Sequence, residues 1–177
     1  IQDKRYTAVF RLGFVTDTQD STGTILYKSA VTASPAEVEA ALQTFLGPGL
    51  QTPPMYSAAK IDGKRLYDLA RQGIEVTRPP RPIVISAIRL IESESDPSSH
   101  TYAIDVACSK GTYIRTLCHD LGAKLGCGGM LTALRRTEAC GFSLADCITL
   151  EEAARLAASG QLSPSLLPVE HAFSTLP

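Results

Sequence analysis

Tyr113 and Arg115 stand two positions apart in the stretch CSKGTYIRTLCHDLG, which runs from residue 108 to residue 122. They lie between a Ser-Lys-Gly turn and a segment that buries leucines, and such a turn fixes where the two side chains point. This arrangement indicates that Tyr113 and Arg115 belong to a functional site and not to the packed core. A phenol, with a pKa of about 10, is a weak base at neutral pH unless a cation assists it. Arg115 could be an ordinary exposed charge, but a cation at a helix N-terminus opposes the helix dipole, which favours a dedicated anionic partner.

Motifs of several common enzyme classes are absent. The sequence has no GxGxxG after a strand, no P-loop, no HExxH and no GxSxG. Nucleotide hydrolysis, zinc proteolysis and serine hydrolysis therefore have no motif support. No apolar run approaches the roughly 18 to 20 residues of a membrane helix, and no basic stretch precedes an apolar one at the N-terminus. We expect a cytoplasmic protein without membrane contact.

The five cysteines form no CxxC pair, which favours reduced thiols over disulfides or a zinc site. One conceivable metal set is Cys118 with His119 and Cys127. Adjacent ligands on a helix point about 100° apart and cannot easily share one metal. A metal-binding regulator built on the cysteines is a third hypothesis, and it would require stoichiometric zinc.

The net charge of −1 gives no general case for nucleic acid, but the local distribution differs. Six cations and three anions between residues 56 and 82 give a local balance of +3. A basic patch is a candidate surface for phosphate contacts. The alternative from charge alone is a solvated helix face with paired charges. The six cations are Lys60, Lys64, Arg65, Arg71, Arg78 and Arg81.

Hydrophobic periodicity and turn residues predict an α+β protein with a mixed, mostly antiparallel sheet flanked by helices. Strands are predicted at 5–14, 24–30, 82–93 and 100–109, and 129–142 is strand or helix by its period, with a strand favoured. Helices are predicted at 34–47, 64–73, 112–126 and 149–160. Ser34 with Glu37, and Thr149 with Glu152, are expected to cap two of them. The proline-rich segment 48–63 is expected to be irregular.

Four blocks of the chain closely resemble the TruB family of tRNA pseudouridine synthases, over about residues 3–155. The blocks are KRYTAVFRLGFVTDTQDSTG, MYSAAKIDGKRLYDLARQGIEV, ACSKGTYIRTLCHDLGAKLGCGG and LRRT, in that order. The resemblance implies the pseudouridine synthase fold. It also implies isomerisation of uridine-55 in the T loop of tRNA, without metal or organic cofactor.

The same resemblance assigns roles to residues. The target base must be flipped into a pocket, where an aromatic ring can stack on it. Tyr6 matches the stacking tyrosine, although a core-packing strand tyrosine is the alternative. Tyr113 matches the active-site tyrosine that could remove the C5 proton, and Arg115 matches the arginine that pairs with the catalytic aspartate. The turn would then aim both into one cleft, with Leu134 lining the base pocket and Lys110 at its rim, while Ile114 and Leu117 face the core.

The resemblance also places an RNA-gripping insertion at about residues 48–82. Its cations Lys60, Lys64, Arg65 and Arg71 would meet phosphates of the T arm, with Tyr56 and Tyr67 as packing or stacking groups. Residues 160–177 would be a linker toward an absent C-terminal RNA-binding domain. We expect a monomer.

One family block, GxLDPxATG with the nucleophilic aspartate, has no counterpart among the 177 residues. Asp17 and Asp20 are the nearest carboxylates, but they match the family's TDTxDxxG hairpin, not the nucleophile. We therefore expect a partial catalytic domain that is inactive alone, with Arg115 lacking its carboxylate at a cost of about 3–5 kcal/mol. The alternative is a non-catalytic module that binds or folds tRNA.

Overall fold

The computed structural model describes residues 3–61 and 63–168. The strands in this part of the chain are β1 (Lys4–Leu12), β2 (Phe14–Thr16), β3 (Ile25–Lys28), β4 (Gly47–Gln51), β5 (Lys60–Ile61), β6 (Lys64–Arg65), β7 (Arg81–Leu90), β8 (Thr101–Cys108), β9 (Gly129–Ala139) and β10 (Phe142–Ser143). The α-helices are α1 (Pro35–Gln43), α2 (Leu66–Arg71), α3 (Ile114–Lys124) and α4 (Leu150–Ala158). None of these helices is long and apolar enough to cross a membrane.

The central sheet has six strands in the order β10-β9-β1-β8-β7-β4, and all neighbours in it are antiparallel. β1 lies inside the sheet between β8 and β9. The pairs β2–β3 and β5–β6 form two separate hairpins. An isolated parallel bridge joins Asp20 to Leu131. The predicted α+β class with a mostly antiparallel sheet is confirmed.

The core lies between one face of the sheet and the helices α1 and α3, which also contact each other. Alternate residues of β1 and β8 point into it, and Phe10 stacks on Tyr102 with ring centroids 5.6 Å apart. From α3, Ile114 and Leu117 are 3% and 1% exposed, so the prediction that both face the core is confirmed. Their burial fixes how α3 sits on the sheet, and therefore where its first turn points.

The prediction that residues 48–63 are irregular is wrong at both ends of that segment. Residues 47–51 form β4, which pairs with β7 so that Pro48 lies opposite Val84. β4 is the last strand of the sheet, and an edge strand tolerates proline because the missing N–H is not needed on the open side. Residues 60–61 pair with 64–65, so α2 begins at Leu66, two residues later than predicted for the helix.

The predicted first strand, 5–14, is divided at Gly13. This glycine has φ +89°, a conformation that residues with a side chain rarely adopt. The chain turns there, so β1 continues the central sheet while β2 leaves it to pair with β3. The predicted hairpin is therefore present, but of the predicted first strand only the short β2 takes part in it.

Two predicted helix caps are present to different extents. Ser34 and Glu37 form a full capping box at α1. Thr149 accepts a hydrogen bond from the Glu152 N–H, but the Glu152 carboxylate binds Arg155 at 2.6 and 2.9 Å. Only half of the second capping box is therefore formed.

The segment after α3, for which the sequence allows either a helix or a strand, is the strand β9. Its backbone pairs with β1, which settles it as a strand, as the sequence favours.

Candidate active site

Tyr6 lies on β1, directly opposite Val106 of β8 and Arg136 of β9. Its ring is half-buried and packs against the core. Burial raises the pKa of the Tyr6 phenol, nearby Cys108 raises it further, and a hydrogen bond from Arg136 opposes the rise. The phenol therefore stays protonated at neutral pH.

Leu134 occupies β9 opposite Ala8, two residues along β1 from Tyr6. Directly opposed residues of neighbouring strands share one face of a sheet, so Leu134 and Tyr6 lie on the same face. Leu134 is 48% exposed, which is unusual for a large apolar side chain on the core-facing side. Its place beside Tyr6 suits the predicted base pocket, and that role stays a prediction.

Tyr113 is the N-cap residue of α3 and follows the turn predicted from the sequence. Two hydrogen bonds join Ser109 to Val84 of β7: the Ser109 N–H donates to the Val84 carbonyl, and the Val84 N–H donates to the Ser109 hydroxyl. Thr112 donates to the Ser109 carbonyl at 2.9 Å. Gly111 has φ +83°, which the Ser-Lys-Gly sequence permits. The turn is therefore anchored to the sheet. It delivers Tyr113 to the start of α3.

Arg115 lies in the first turn of α3, where the sequence favours an anionic partner. Its Nη1 lies 3.3 Å from Oδ2 of Asp20, and its Nη2 donates to the carbonyl of Tyr56. The side chains of the ion pair are 22% and 21% exposed, so solvent screens the pair only partly. Arg115 is thus held by two distant parts of the chain, the loop after β2 and the segment before β5.

The Asp20 carboxylate is held in a cradle of hydroxyl groups. Its Oδ1 accepts hydrogen bonds from Thr18 Oγ1 at 2.8 Å, from Thr22 Oγ1 at 2.6 Å and from the Thr22 N–H at 3.0 Å. Burial alone would raise the pKa of Asp20, but the bonds from Thr22, Thr18 and Arg115 together lower it below its ordinary value. Asp20 is therefore ionised at neutral pH, with Oδ2 directed at Arg115.

The loop that carries Asp20 is fastened to both α3 and β9. Thr116 donates to Gln19 Oε1 at 2.7 Å, and the backbones of Gln19 and Ser21 bond to that of Leu131 at 3.1 and 2.8 Å. Gln19 has φ +65°, an uncommon value outside glycine that tends to occur where surrounding contacts enforce it. These contacts explain how a loop far away in sequence reaches the first turn of α3.

The expectation that Arg115 lacks a carboxylate is therefore wrong, because Asp20 supplies one. Sequence reasoning assigned Asp20 only to the hairpin and missed its role as a partner of Arg115. A usable signal was the Thr-x-Asp-x-Thr spacing of residues 18–22. Hydroxyls on both sides of an aspartate can occupy one carboxylate oxygen and leave the other free for a cation.

Lys110 lies apart from these contacts. It is exposed in the turn after β8 and lines a surface depression with Pro48, Gly49 and Val84 at the β4–β7 edge of the sheet. The predicted position of Lys110 at the rim of the base pocket stays a prediction.

Three of the four cations predicted to bind RNA, Lys60, Lys64 and Arg65, line one surface cavity. Arg65 donates to the Tyr67 hydroxyl at 2.7 Å, and the Arg65 and Arg71 guanidinium carbons lie 5.8 and 5.3 Å from the Tyr67 ring centroid. These two arginines are therefore partly ordered by one aromatic ring. The set lies on and around the β5–β6 hairpin and α2, in the segment that also supplies the Tyr56 carbonyl to Arg115.

All five cysteines are free, and Cys108, Cys118 and Cys127 are buried. Burial raises the pKa of each of these three thiols. Within residues 3–61 and 63–168, no group of three or more His, Cys, Asp and Glu side chains is arranged to hold a metal ion.

Comparison with known families divides the chain into two matches. Residues 1–114 match the model described as the TruB family pseudouridylate synthase N-terminal domain, and residues 115–174 match that of the tRNA pseudouridylate synthase B C-terminal domain. The chain belongs to the TruB family. The boundary between the two matches falls inside the first turn of α3, between Tyr113 and Arg115, so it does not coincide with a break in the fold. Residues 169–177 of the predicted linker lie outside the described residues.

Relatives in the TruB family cover nearly the whole chain. It is 42% identical over 176 residues to tRNA pseudouridine synthase B of Syntrophomonas wolfei, covering 99% of this chain and 58% of the relative. It is 53% identical over 154 residues to tRNA pseudouridine synthase B of Heliobacterium modesticaldum, covering 86% and 50%. The chain thus spans about half the length of the relatives it matches.

Solved structures show the same fold at lower identity. A structure of a Cbf5-Nop10-Gar1 complex matches with a TM-score of 0.68 and 23% identity, covering 96% of this chain and 43% of the other. An H/ACA RNP bound to a substrate RNA containing 2′-deoxyuridine matches with a TM-score of 0.63 and 20% identity, covering 96% and 41%. At these identities the matches support the fold of this TruB family chain and nothing finer.

Proposed function

We propose that the protein containing this chain isomerises uridine-55 in the T loop of tRNA to pseudouridine. The observation that carries the proposal is the first turn of α3 in a TruB family chain. Tyr113 is the N-cap residue of that helix, and Arg115 is directed by Asp20 and the Tyr56 carbonyl. A phenol and an oriented guanidinium at one helix start provide a proton acceptor and a cation, the two groups that the sequence predicts for this chemistry.

The proposed reaction needs no oxidant or reductant. The bond from N1 of uracil to C1′ of ribose breaks, the base turns, and a bond from C5 to C1′ forms. The C5 proton leaves and N1 takes up a proton, so atoms and charge balance. In this scheme Tyr6 stacks on the flipped base beside Leu134, Tyr113 accepts the C5 proton, and Arg115 pairs with the family's catalytic aspartate.

RNA binding in this scheme falls to the basic segment between β4 and β7. Lys60, Lys64, Arg65 and Arg71 would contact phosphates of the T arm. The same segment reaches the site through the Tyr56 carbonyl on Arg115. This favours the binding interpretation over a merely solvated helix face.

Tritium release from tRNA labelled at C5 of uridine tests the proposal. The protein is expressed from its complete reading frame, and the control tRNA carries cytidine at position 55. We expect tritium release from the parent tRNA and none above background from the control. Tight tRNA binding without tritium release would instead support the alternative, a tRNA-binding module without chemistry.

Three narrower proposals accompany it. We expect residues 1–177 alone to release no tritium, because the block with the nucleophilic aspartate is not among them. We also propose a monomer that acts in the cytoplasm. Light scattering after size exclusion tests the first of these two, and cell fractionation tests the second.

A further inference from the structure

We propose that Gln51 is a positioning residue for Tyr113, acting on its backbone without touching the substrate. Gln51 is the last residue of β4 and is 4% exposed. Its Oε1 accepts a hydrogen bond from the Tyr113 N–H at 2.8 Å, and its Nε2 donates to the Tyr113 carbonyl at 3.1 Å. The inference rests on the proposed function, in which Tyr113 accepts the C5 proton.

Both halves of the Gln51 amide are used by one residue that lies 62 positions away. A backbone N–H needs an acceptor and a carbonyl needs a donor, so the amide fits in one orientation only. Two bonds on either side of one Cα restrict rotation of the Tyr113 backbone. They therefore fix the direction of the Tyr113 Cα–Cβ bond, from which the phenol ring extends.

The position of Tyr113 explains why such a restraint matters. As the N-cap residue, with φ −101° and ψ 109°, it stands outside the regular helix, and its own side chain makes no capping hydrogen bond. Its carbonyl already accepts the first helical bond from Leu117 at 3.1 Å, while its N–H has no helical partner. Gln51 satisfies that N–H and ties the start of α3 to the edge strand of the sheet.

The basic segment that begins after Gln51 also holds Arg115. Tyr56, five residues after Gln51, accepts a bond from the Arg115 guanidinium. One short stretch, residues 51–56, thus contacts both residues that the proposed reaction needs from α3. Gln51 binds the backbone of Tyr113, and the Tyr56 carbonyl binds Arg115.

The test compares Gln51→Met, which keeps the volume and loses both bonds, with Gln51→Glu, which keeps the acceptor only. Gln43→Leu is the matched control, because the Gln43 amide also bonds a backbone group, the Ile88 carbonyl at 3.2 Å, away from α3. Each variant is made in the protein from its complete reading frame. The readouts are kcat, KM for tRNA, and the 19F signal of Tyr113 in protein labelled with 3-fluorotyrosine, assigned with Tyr113→Phe.

We expect Gln51→Met to lower kcat at least tenfold with KM within threefold of the parent, and to move or broaden the Tyr113 signal. Gln43→Leu should leave all three unchanged. A folded Gln51→Met protein with parental kcat overturns the inference, as does an equal loss in Gln43→Leu.

If Gln51→Met does not fold, a lowered kcat in folded Gln51→Glu supports the inference and a parental kcat overturns it. If neither folds, Gln51 is a purely structural residue and the inference fails. An inactive parent would refute the proposed function, while the Tyr113 signal would still test the positioning.

Discussion

Arg115 Nη1 and Asp20 Oδ2 lie 3.3 Å apart, although 95 residues separate them in the chain. The guanidinium sits in the first turn of α3, where the helix dipole disfavours a cation. The carboxylate offsets that disadvantage, and hydroxyls of Thr18 and Thr22 fill its other oxygen. The pair joins the loop after β2 to α3, the helix whose N-cap residue is Tyr113.

Asp20→Asn tests the pair, because the amide oxygen can still accept from Thr18 and Thr22 while the charge is lost. We expect the free energy of unfolding to fall by about 0.5–1.5 kcal/mol. Turnover should fall about 10- to 100-fold, since Arg115 loses the anion that sets its direction. Urea unfolding and tritium release measure the two effects.

The matched control is Asp17→Asn in the same loop, where the Asp17 carboxylate accepts from the Thr24 N–H at 2.8 Å. An asparagine oxygen can accept the same bond, so turnover should stay at the parental value. Equal losses in the two variants would assign the effect to the loop as a whole.

Tyr113→Phe removes the proposed proton acceptor and keeps the ring. Pseudouridine formation should be abolished, whereas affinity for tRNA should stay within about tenfold, or about 1.4 kcal/mol. Tyr102→Phe is the control. The Tyr102 ring stacks on Phe10 in the core near the start of β8, whereas Tyr113 follows the end of that strand. Normal turnover by Tyr113→Phe would remove this phenol from the mechanism.

Replacing Lys64 and Arg71 together by alanine tests the RNA-binding surface. If each cation neutralises one phosphate, the slope of log affinity against log salt should become shallower by about 1.5 units. The control changes Lys124 and Arg155 to alanine, which removes the same charge from α3 and α4. Titrations of tRNA at several salt concentrations give the slopes. An unchanged slope in the Lys64 and Arg71 variant would mean that neither cation contacts a phosphate of the tRNA.

Asp105 predicts an acid-dependent loss of stability. Hydrogen bonds and ion pairs from Arg5 and Arg89 lower its pKa in the folded protein, although burial opposes this. A lowered folded-state pKa stabilises the protein above the unfolded value of about 3.9, and this contribution is lost as the pH falls through the folded-state value.

The free energy of unfolding should therefore fall between about pH 5 and pH 2, and it should fall less steeply in Asp105→Asn. Denaturant unfolding at a series of pH values measures the difference. Glu39→Gln, which removes an exposed carboxylate from α1, is the control and should keep the parental slope. Parallel curves for parent and Asp105→Asn would contradict the prediction.

Elements with strong local signals were predictable from the sequence. The Ser34 and Glu37 cap, the burial of Ile114 and Leu117, and the turn before Tyr113 all depend on neighbours within a few residues. Local periodicity and turn chemistry determine such features. β4 was missed because proline argues against regular structure, and only its position at the sheet edge makes Pro48 acceptable.

The sequence by itself determined the family, the α+β class and the identity of Tyr113 and Arg115 as the residues to examine. The tertiary structure alone decided which groups hold them, namely Asp20 and the Tyr56 carbonyl on Arg115 and the Gln51 amide on Tyr113. These contacts join residues 59 to 95 positions apart. No local pattern encodes such pairs, because they form only when the sheet order and the packing of α3 bring distant backbone and side-chain groups within hydrogen-bond distance.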